Sequence, residues 1–182
     1  MTSLGAFIEQ GGFRSALPIL AIAALVLTGY AFFGWGSTIR VGVGDPAPDF
    51  ALPVIYNGDD GDVVKLSNLE GETVVLLFWA SWCGPCRATV PAVEKVWGRL
   101  GENGVTVIGV NTRDTPEKAL AYAQKARVSF PIVSDADGSV GASFGVSSYP
   151  TIVVINKDGV VAGRRSGAMD AGSLESYVLS LR

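Results

Sequence analysis

Hydrophobic positions fall into distinct patterns along the chain. From Ala16 to Trp35 they are almost continuous, and no charged side chain occurs between Arg14 and Arg40. Residues 73–78 and 105–110 are short uninterrupted apolar runs, as strands buried on both faces require. Between them Val93, Val96, Trp97 and Leu100 recur at the i, i+3, i+4, i+7 spacing of one helix face. Pro91 lies within that stretch and predicts a kink. Strand, helix and strand in this order predict a parallel βαβ unit. Thr115-Pro116-Glu117 places a capping residue before a proline at the first helical position, which predicts a helix to about Arg127. Residues 130–133 and 152–155 predict strands, and 160–164 a strand returning through the Asn156-Lys157-Asp158-Gly159 turn. Leu174, Tyr177, Val178 and Leu181 share one face of a last helix. Upstream, residues 50–54 and 63–66 flank the turn-rich segment 57–61 as a further hairpin, whose acidic residues lack the spacing of a calcium loop. The alternation predicts one α/β domain.

The uncharged N-terminal stretch changes the organisation of the chain. About 20 helical residues cross the ~30 Å hydrocarbon layer of a bilayer. Pro18 near the start is tolerated in a first turn, and Tyr30 and Trp35 stand where interfacial aromatics stand. A cleaved signal peptide is the alternative, although the apolar part is longer than a signal core and no clear Ala-x-Ala site follows it. The expected division is a tail over 1–14, a transmembrane anchor over 15–37, a linker over 38–48 and the domain over 49–182. Arg14 and Arg40 flank the two ends equally, so the positive-inside count is a tie.

Composition narrows the chemistry. A net charge of −3 argues against a nucleic-acid partner held by a basic face. The chain has no histidine, which excludes Ser–His and Cys–His nucleophile pairs and His-ligated zinc or haem. Its two cysteines are too few for a four-cysteine metal site, so no metal or other cofactor is expected beyond a redox-active Cys83–Cys86 disulfide.

Cys83-Gly84-Pro85-Cys86 follows the first buried strand and opens the predicted helix. Two residues between the cysteines let the sulfurs close a small ring. A helix N-terminus presents unpaired N–H groups and about half a positive charge, which favours a thiolate. Cys83, expected at the exposed end, is then the attacking sulfur. Cys86, expected one turn inside the helix and more buried, resolves the mixed disulfide. A structural bridge closing so small a loop would restrain little of the unfolded chain. Two inert core cysteines are the remaining alternative; Trp82 before the motif, with Gly84 and Pro85 inside it, fits a redox site better.

The segment Phe78-Trp79-Ala80-Ser81-Trp82-Cys83-Gly84-Pro85-Cys86-Arg87 resembles the active-site segment of the thioredoxin superfamily. Within it the chain is most similar to the membrane-anchored TlpA/ResA/DsbE-like thiol-disulfide oxidoreductases, with their redoxin or AhpC/TSA-like domain. Gly44-Asp45-Pro46-Ala47-Pro48-Asp49-Phe50-Ala51-Leu52, Leu66-Ser67-Asn68-Leu69-Glu70-Gly71, Val107-Ile108-Gly109-Val110-Asn111, Phe130-Pro131 and Ser147-Ser148-Tyr149-Pro150-Thr151 extend the likeness in order.

The resemblance implies a thioredoxin-like fold: a central mixed sheet flanked by helices, with an extra N-terminal β-hairpin, preceded by one transmembrane helix. It implies that Pro150 is a cis proline facing the CxxC, with Tyr149, Pro150 and Thr151 forming the substrate-binding loop; a trans proline opening a strand is the alternative. It also implies a single-pass protein of the bacterial cell (inner) membrane whose domain faces the extracytoplasmic, periplasmic side. Protein dithiols or disulfides such as apocytochrome c thiols would be its substrates, and a membrane electron carrier its partner.

Two departures stand out. Leu77 occupies the place of thioredoxin's buried Asp, and Gly84 the place where some relatives carry Glu. Glu94 and Asp114 are the candidate carboxylates that folding brings near, and Arg87 a candidate cation. An oxidant of the same family is one rival. A peroxiredoxin is another, but Leu76 and Ala80 stand where its Pro and Thr are needed. A copper chaperone on this fold would require a histidine.

Overall fold

The computed structural model describes residues 41–59 and 61–182. The expected tail and anchor, 1–14 and 15–37, lie outside the described residues. Seven strands form one mixed sheet: β1 (Ala51–Tyr56), β2 (Val63–Lys65), β3 (Thr73–Trp79), β4 (Val105–Thr112), β5 (Ile132–Asp135), β6 (Thr151–Ile155) and β7 (Val161–Ser166), in the order β2-β1-β5-β4-β3-β6-β7. β3, β4 and β5 run parallel; β6 and β7 extend the sheet antiparallel from β3, and β1 and β2 from β5. The helices are α1 (Cys86–Leu100), α2 (Pro116–Ala126), α3 (Ser139–Ser143) and α4 (Ala171–Leu179). This is the thioredoxin-like α/β architecture with its N-terminal hairpin.

β3 explains why two cores form. All seven of its residues are buried, and successive side chains point to opposite faces. Val75, Leu77 and Trp79 join Val90, Val93 and Val96 of α1, Ala119 and Ala123 of α2, and Leu174 and Val178 of α4. Val74, Leu76 and Phe78 join Val41, Phe50, Leu66, Val140 and Phe144 on the other face. Each buried Val, Leu or Phe among them contributes about 1.5–3 kcal/mol. α1 is one helix from Cys86 to Leu100 with Pro91 inside it. Thr115 caps α2 by accepting from Lys118 N at 3.4 Å, and Arg127 closes that helix in the left-handed conformation (φ 55°).

Two expectations are corrected, and one helix is added. Residues 41–48, read as the end of a linker, belong to the fold. Gly44 N donates to Val161 O at 2.9 Å, Ala47 N to Gly159 O at 2.9 Å, and Val161 N to Asp45 O at 3.0 Å. The segment covers the outer edge of β7, where Pro46 is accommodated because an edge needs fewer donors. Second, the strand expected over 130–133 is Ile132–Asp135. Asn57 Nδ2 donates to the carbonyls of Val128 (2.8 Å) and Phe130 (3.1 Å), and Pro131 has no N–H, so the strand begins two residues later. The added helix, α3, carries no apolar period. It forms because buried Asp135 accepts from Val140 N (3.0 Å) and Gly141 N (2.9 Å).

Candidate active site

β3 ends at Trp79 and the chain turns through Ala80, Ser81 and Trp82 to Cys83, whose N–H bonds Ala80 O at 3.1 Å. Cys83 and Cys86 are joined by a disulfide, with Cα atoms 5.4 Å apart. Gly84 and Pro85 bridge them as a turn, and their carbonyls accept from Arg87 N and Ala88 N. Cys86 is therefore the first residue of α1 rather than one turn inside it. Both cysteines are buried, Cys83 at 4% and Cys86 at 1% exposure, so Cys83 is not the open sulfur the sequence suggested. Trp82, the residue before it, packs edge to face on Tyr149, and the closed bridge lies in the core cluster with Leu77 and Trp79. Gly84, exposed with no atom near its Cβ direction, leaves the approach to the turn open.

The electrostatics distinguish the two sulfurs. Cys86 N–H points at Cys83 Sγ at 3.2 Å, at the amino end of a 15-residue helix. An N–H donor and the positive helix end both favour negative charge on Cys83 when the bridge opens.

The Tyr149–Pro150 peptide is cis. Thr151 opens β6 opposite Phe78 near the end of β3, so the sheet register brings the 149–151 loop beside the turn that carries the cysteines. The Trp82 and Tyr149 rings meet edge to face at 5.7 Å. Thr151 Oγ1 bonds Ser148 O and Ser166 Oγ, each at 2.8 Å, and Gly167 N donates to Pro150 O at 2.9 Å, which fastens the loop from both sides. Trp82 remains 61% exposed.

Asp114 ties this surface together. Its carboxylate accepts from Ser81 N (2.6 Å), Thr115 N (2.9 Å) and Asn111 Nδ2 (3.2 Å). Burial alone would raise this carboxyl, but the donors from Ser81, Asn111 and Thr115 together outweigh it and hold it below its ordinary value. Next to it Arg113 is left-handed (φ 53°), and its carbonyl accepts from Trp82 Nε1 at 3.2 Å. Burial raises Tyr149, with the Arg113 charge pulling it back. Glu94, two turns beyond Cys86 on α1, instead accepts from Ser129 N at 2.8 Å and from the Ser129 hydroxyl. Arg87 is exposed, and its charge acts on Tyr122, which burial raises.

Ser81, Asn111 and Arg113 escaped the sequence reading. The available signal was polar residues directly after a buried parallel strand, at the strand ends where such sheets place their sites.

Asp114→Ala is expected to leave the Ser81 and Thr115 N–H groups without their acceptor, costing about 1–3 kcal/mol. Because the folded carboxyl lies below its unfolded value of 3.8, its stabilisation is present above that pH and fades as pH falls through the lower folded value. The Tm gap between wild type and variant, measured from pH 7 to pH 3, should therefore narrow toward the acid end. A constant gap would remove the charge from this account.

Sequence and structure comparisons place this geometry. The AhpC/TSA family profile matches residues 43–164. The chain belongs to the AhpC/TSA family. It is 32% identical to the thiol-disulfide oxidoreductase ResA of Oceanobacillus iheyensis over 91% of this chain and 86% of that protein. It is also 32% identical to the thioredoxin-like protein YneN of Bacillus subtilis, over 86% and 92% of the two chains. A Chlorobium tepidum structure assigned as thiol:disulfide interchange protein DsbE superposes with a TM-score of 0.70 at 33% identity, covering 78% of this chain and 98% of that one. With its bridged CxxC, this member of the AhpC/TSA family is a protein thiol-disulfide oxidoreductase of the ResA and DsbE type. Among the described residues no helix is long and apolar enough to cross a membrane, and the expected anchor over 15–37 lies outside them.

Proposed function

We propose that the chain is a membrane-anchored, extracytoplasmic reductant of protein disulfides, acting on substrates of the apocytochrome c type. The observation that carries the chemistry is the Cys83–Cys86 bridge at the amino end of α1, with the Cys86 N–H on the Cys83 sulfur. In the dithiol form the Cys83 thiolate attacks a substrate disulfide. The substrate S–S bond breaks, a Cys83 mixed disulfide forms, and one substrate sulfur leaves and takes a proton. Cys86 then gives up its proton and attacks Cys83 Sγ, closing the internal bridge and releasing the second substrate thiol. A membrane dithiol partner returns two electrons and two protons. Trp82 and the Tyr149-Pro150-Thr151 loop receive the extended substrate beside the bridge, and no metal or cofactor enters these steps.

The uncharged stretch 15–37 supports the anchor, and the Gly84-Pro85 pair supports the reducing direction through its likeness to reducing thioredoxins. The family resemblance supports the periplasmic side of the bacterial inner membrane and the membrane electron carrier. Two measurements test the reading. The Cys83–Cys86 midpoint potential is expected nearer about −270 mV than about −120 mV; a value at the upper end makes the protein an oxidant. A membrane-impermeant maleimide is expected to label reduced Cys83 in intact cells with a permeabilised outer layer. Labelling only after lysis would place the domain in the cytoplasm and overturn the topology.

A further inference from the structure

Cys86 sits among apolar side chains, and the neighbouring positions supply it with no polar partner. Leu77 is fully buried between Gly109 of β4 and Ile152 of β6, and Gly84 has no side chain. Asp114 is committed to Ser81, Asn111 and Thr115, and Glu94 to Ser129. The indole N–H of Trp79 is buried without a partner, but it lies against Gly109 of β4.

One polar group on the cysteine helix is left. Thr89 is fully buried on α1, and its Oγ1 has no hydrogen-bond partner among the described residues. It stands three residues after Cys86. On a helix that spacing puts two side chains on one face with Cβ atoms about 5–6 Å apart. Helical side chains also lean toward the N-terminus, so Thr89 covers the turn that contains Cys86. A buried hydroxyl without a partner is costly. In the bridged form the Cys86 sulfur is tied to Cys83, and Thr89 Oγ1 makes no hydrogen bond to it. Once the bridge opens, that sulfur becomes a thiol or thiolate on the same helix face.

We propose that the Thr89 hydroxyl donates a hydrogen bond to the Cys86 sulfur in the dithiol form, and so biases the Cys83–Cys86 couple toward reduction. The donor is satisfied in one redox state and orphaned in the other, so its contribution appears directly in the equilibrium between them. The inference rests on the exchange chemistry proposed above.

The test equilibrates the full chain in detergent with mixtures of reduced and oxidised dithiothreitol and counts dithiol by alkylation. Thr89→Val is expected to move the equilibrium about fivefold toward the disulfide, a lowering of about 20 mV. Thr89→Ala, which also lacks the hydroxyl but differs in shape, is expected to move it the same way. Thr89→Ser keeps the hydroxyl and is expected to stay within about twofold of wild type. Val and Ala variants that match wild type, a shift toward the dithiol, or a Ser variant displaced as far as Val would each overturn the assignment. A wild-type chain that never exchanges with dithiothreitol is a separate failure: it removes the proposed function first and this inference with it.

Discussion

Cys83→Ser is expected to reduce disulfide exchange to background, whereas Cys86→Ser is expected to keep the first step and stop at a stable mixed disulfide. The asymmetry follows from the turn that separates the two sulfurs. Only Cys83 receives the Cys86 N–H, and it does so at the end of α1 where the helix field favours an anion. A serine hydroxyl there stays protonated and is a poor nucleophile toward sulfur, so no mixed disulfide forms. Without the Cys86 sulfur, the mixed disulfide lacks the neighbour that would displace it. The checks are insulin reduction with dithiothreitol present and capture of a disulfide-containing protein by each variant. Equal trapping by both variants would show that the two sulfurs are interchangeable, and the roles drawn from the helix end would fail. The oxidised protein buries both sulfurs, so exchange also requires the Trp82–Tyr149 surface to admit a partner sulfur. Loss of Cys83 is thus the largest functional effect expected of a single substitution.

How much of this was legible in the chain follows from where each signal resides. β3 and β4 are buried on both faces, so their apolar runs are local statements of a central position, and both appear within two residues of the expected bounds. The CxxC is equally local, since its spacing and its place after a buried strand are contained in ten residues. The N-terminal segment 41–48 was misread because its information is in backbone pairing: proline and glycine suggest a linker until an edge strand lies beside them. The two-residue shift of β5 and the absence of α3 from the expected elements have a similar reason. Ser134 and Asp135 break the apolar pattern, yet Asp135 is buried because it holds the start of α3. The polar frame of the site is less legible still. Ser81, Asn111 and Arg113 come from two separate stretches, and only the parallel order of β3 and β4 brings them together. Asp114 was visible as a carboxylate after a strand, but its role as an acceptor for the active-site turn was not.

Phe144→Ala is expected to be the most destabilising of these substitutions, at about 3–5 kcal/mol. Phe144 is fully buried, with ring contacts to Phe50 at 6.2 Å and to Phe78 at 5.6 Å. It follows α3, a five-residue helix too short to persist without packing. Truncation removes the ring's own burial, leaves a cavity between β3 and the N-terminal segment, and breaks two aromatic contacts. A typical domain is stable by only about 5–15 kcal/mol, so the change consumes a large share of the whole. Tm should fall by about 10 °C or more, and a fall below about 3 °C would mean that the neighbouring rings close the gap. The same residue bears on function. Phe144 lies six residues before Pro150 in the chain, and its carbonyl accepts from the Arg164 guanidinium, which also bonds Val41 O at 2.7 Å. Phe144 thus joins β7, the N-terminal segment and the approach to the 149–151 loop. Exchange by the Ala variant should slow even at temperatures where it remains folded, while the Cys83–Cys86 potential stays close to wild type, because the bridge packs into the core on the opposite face of the sheet.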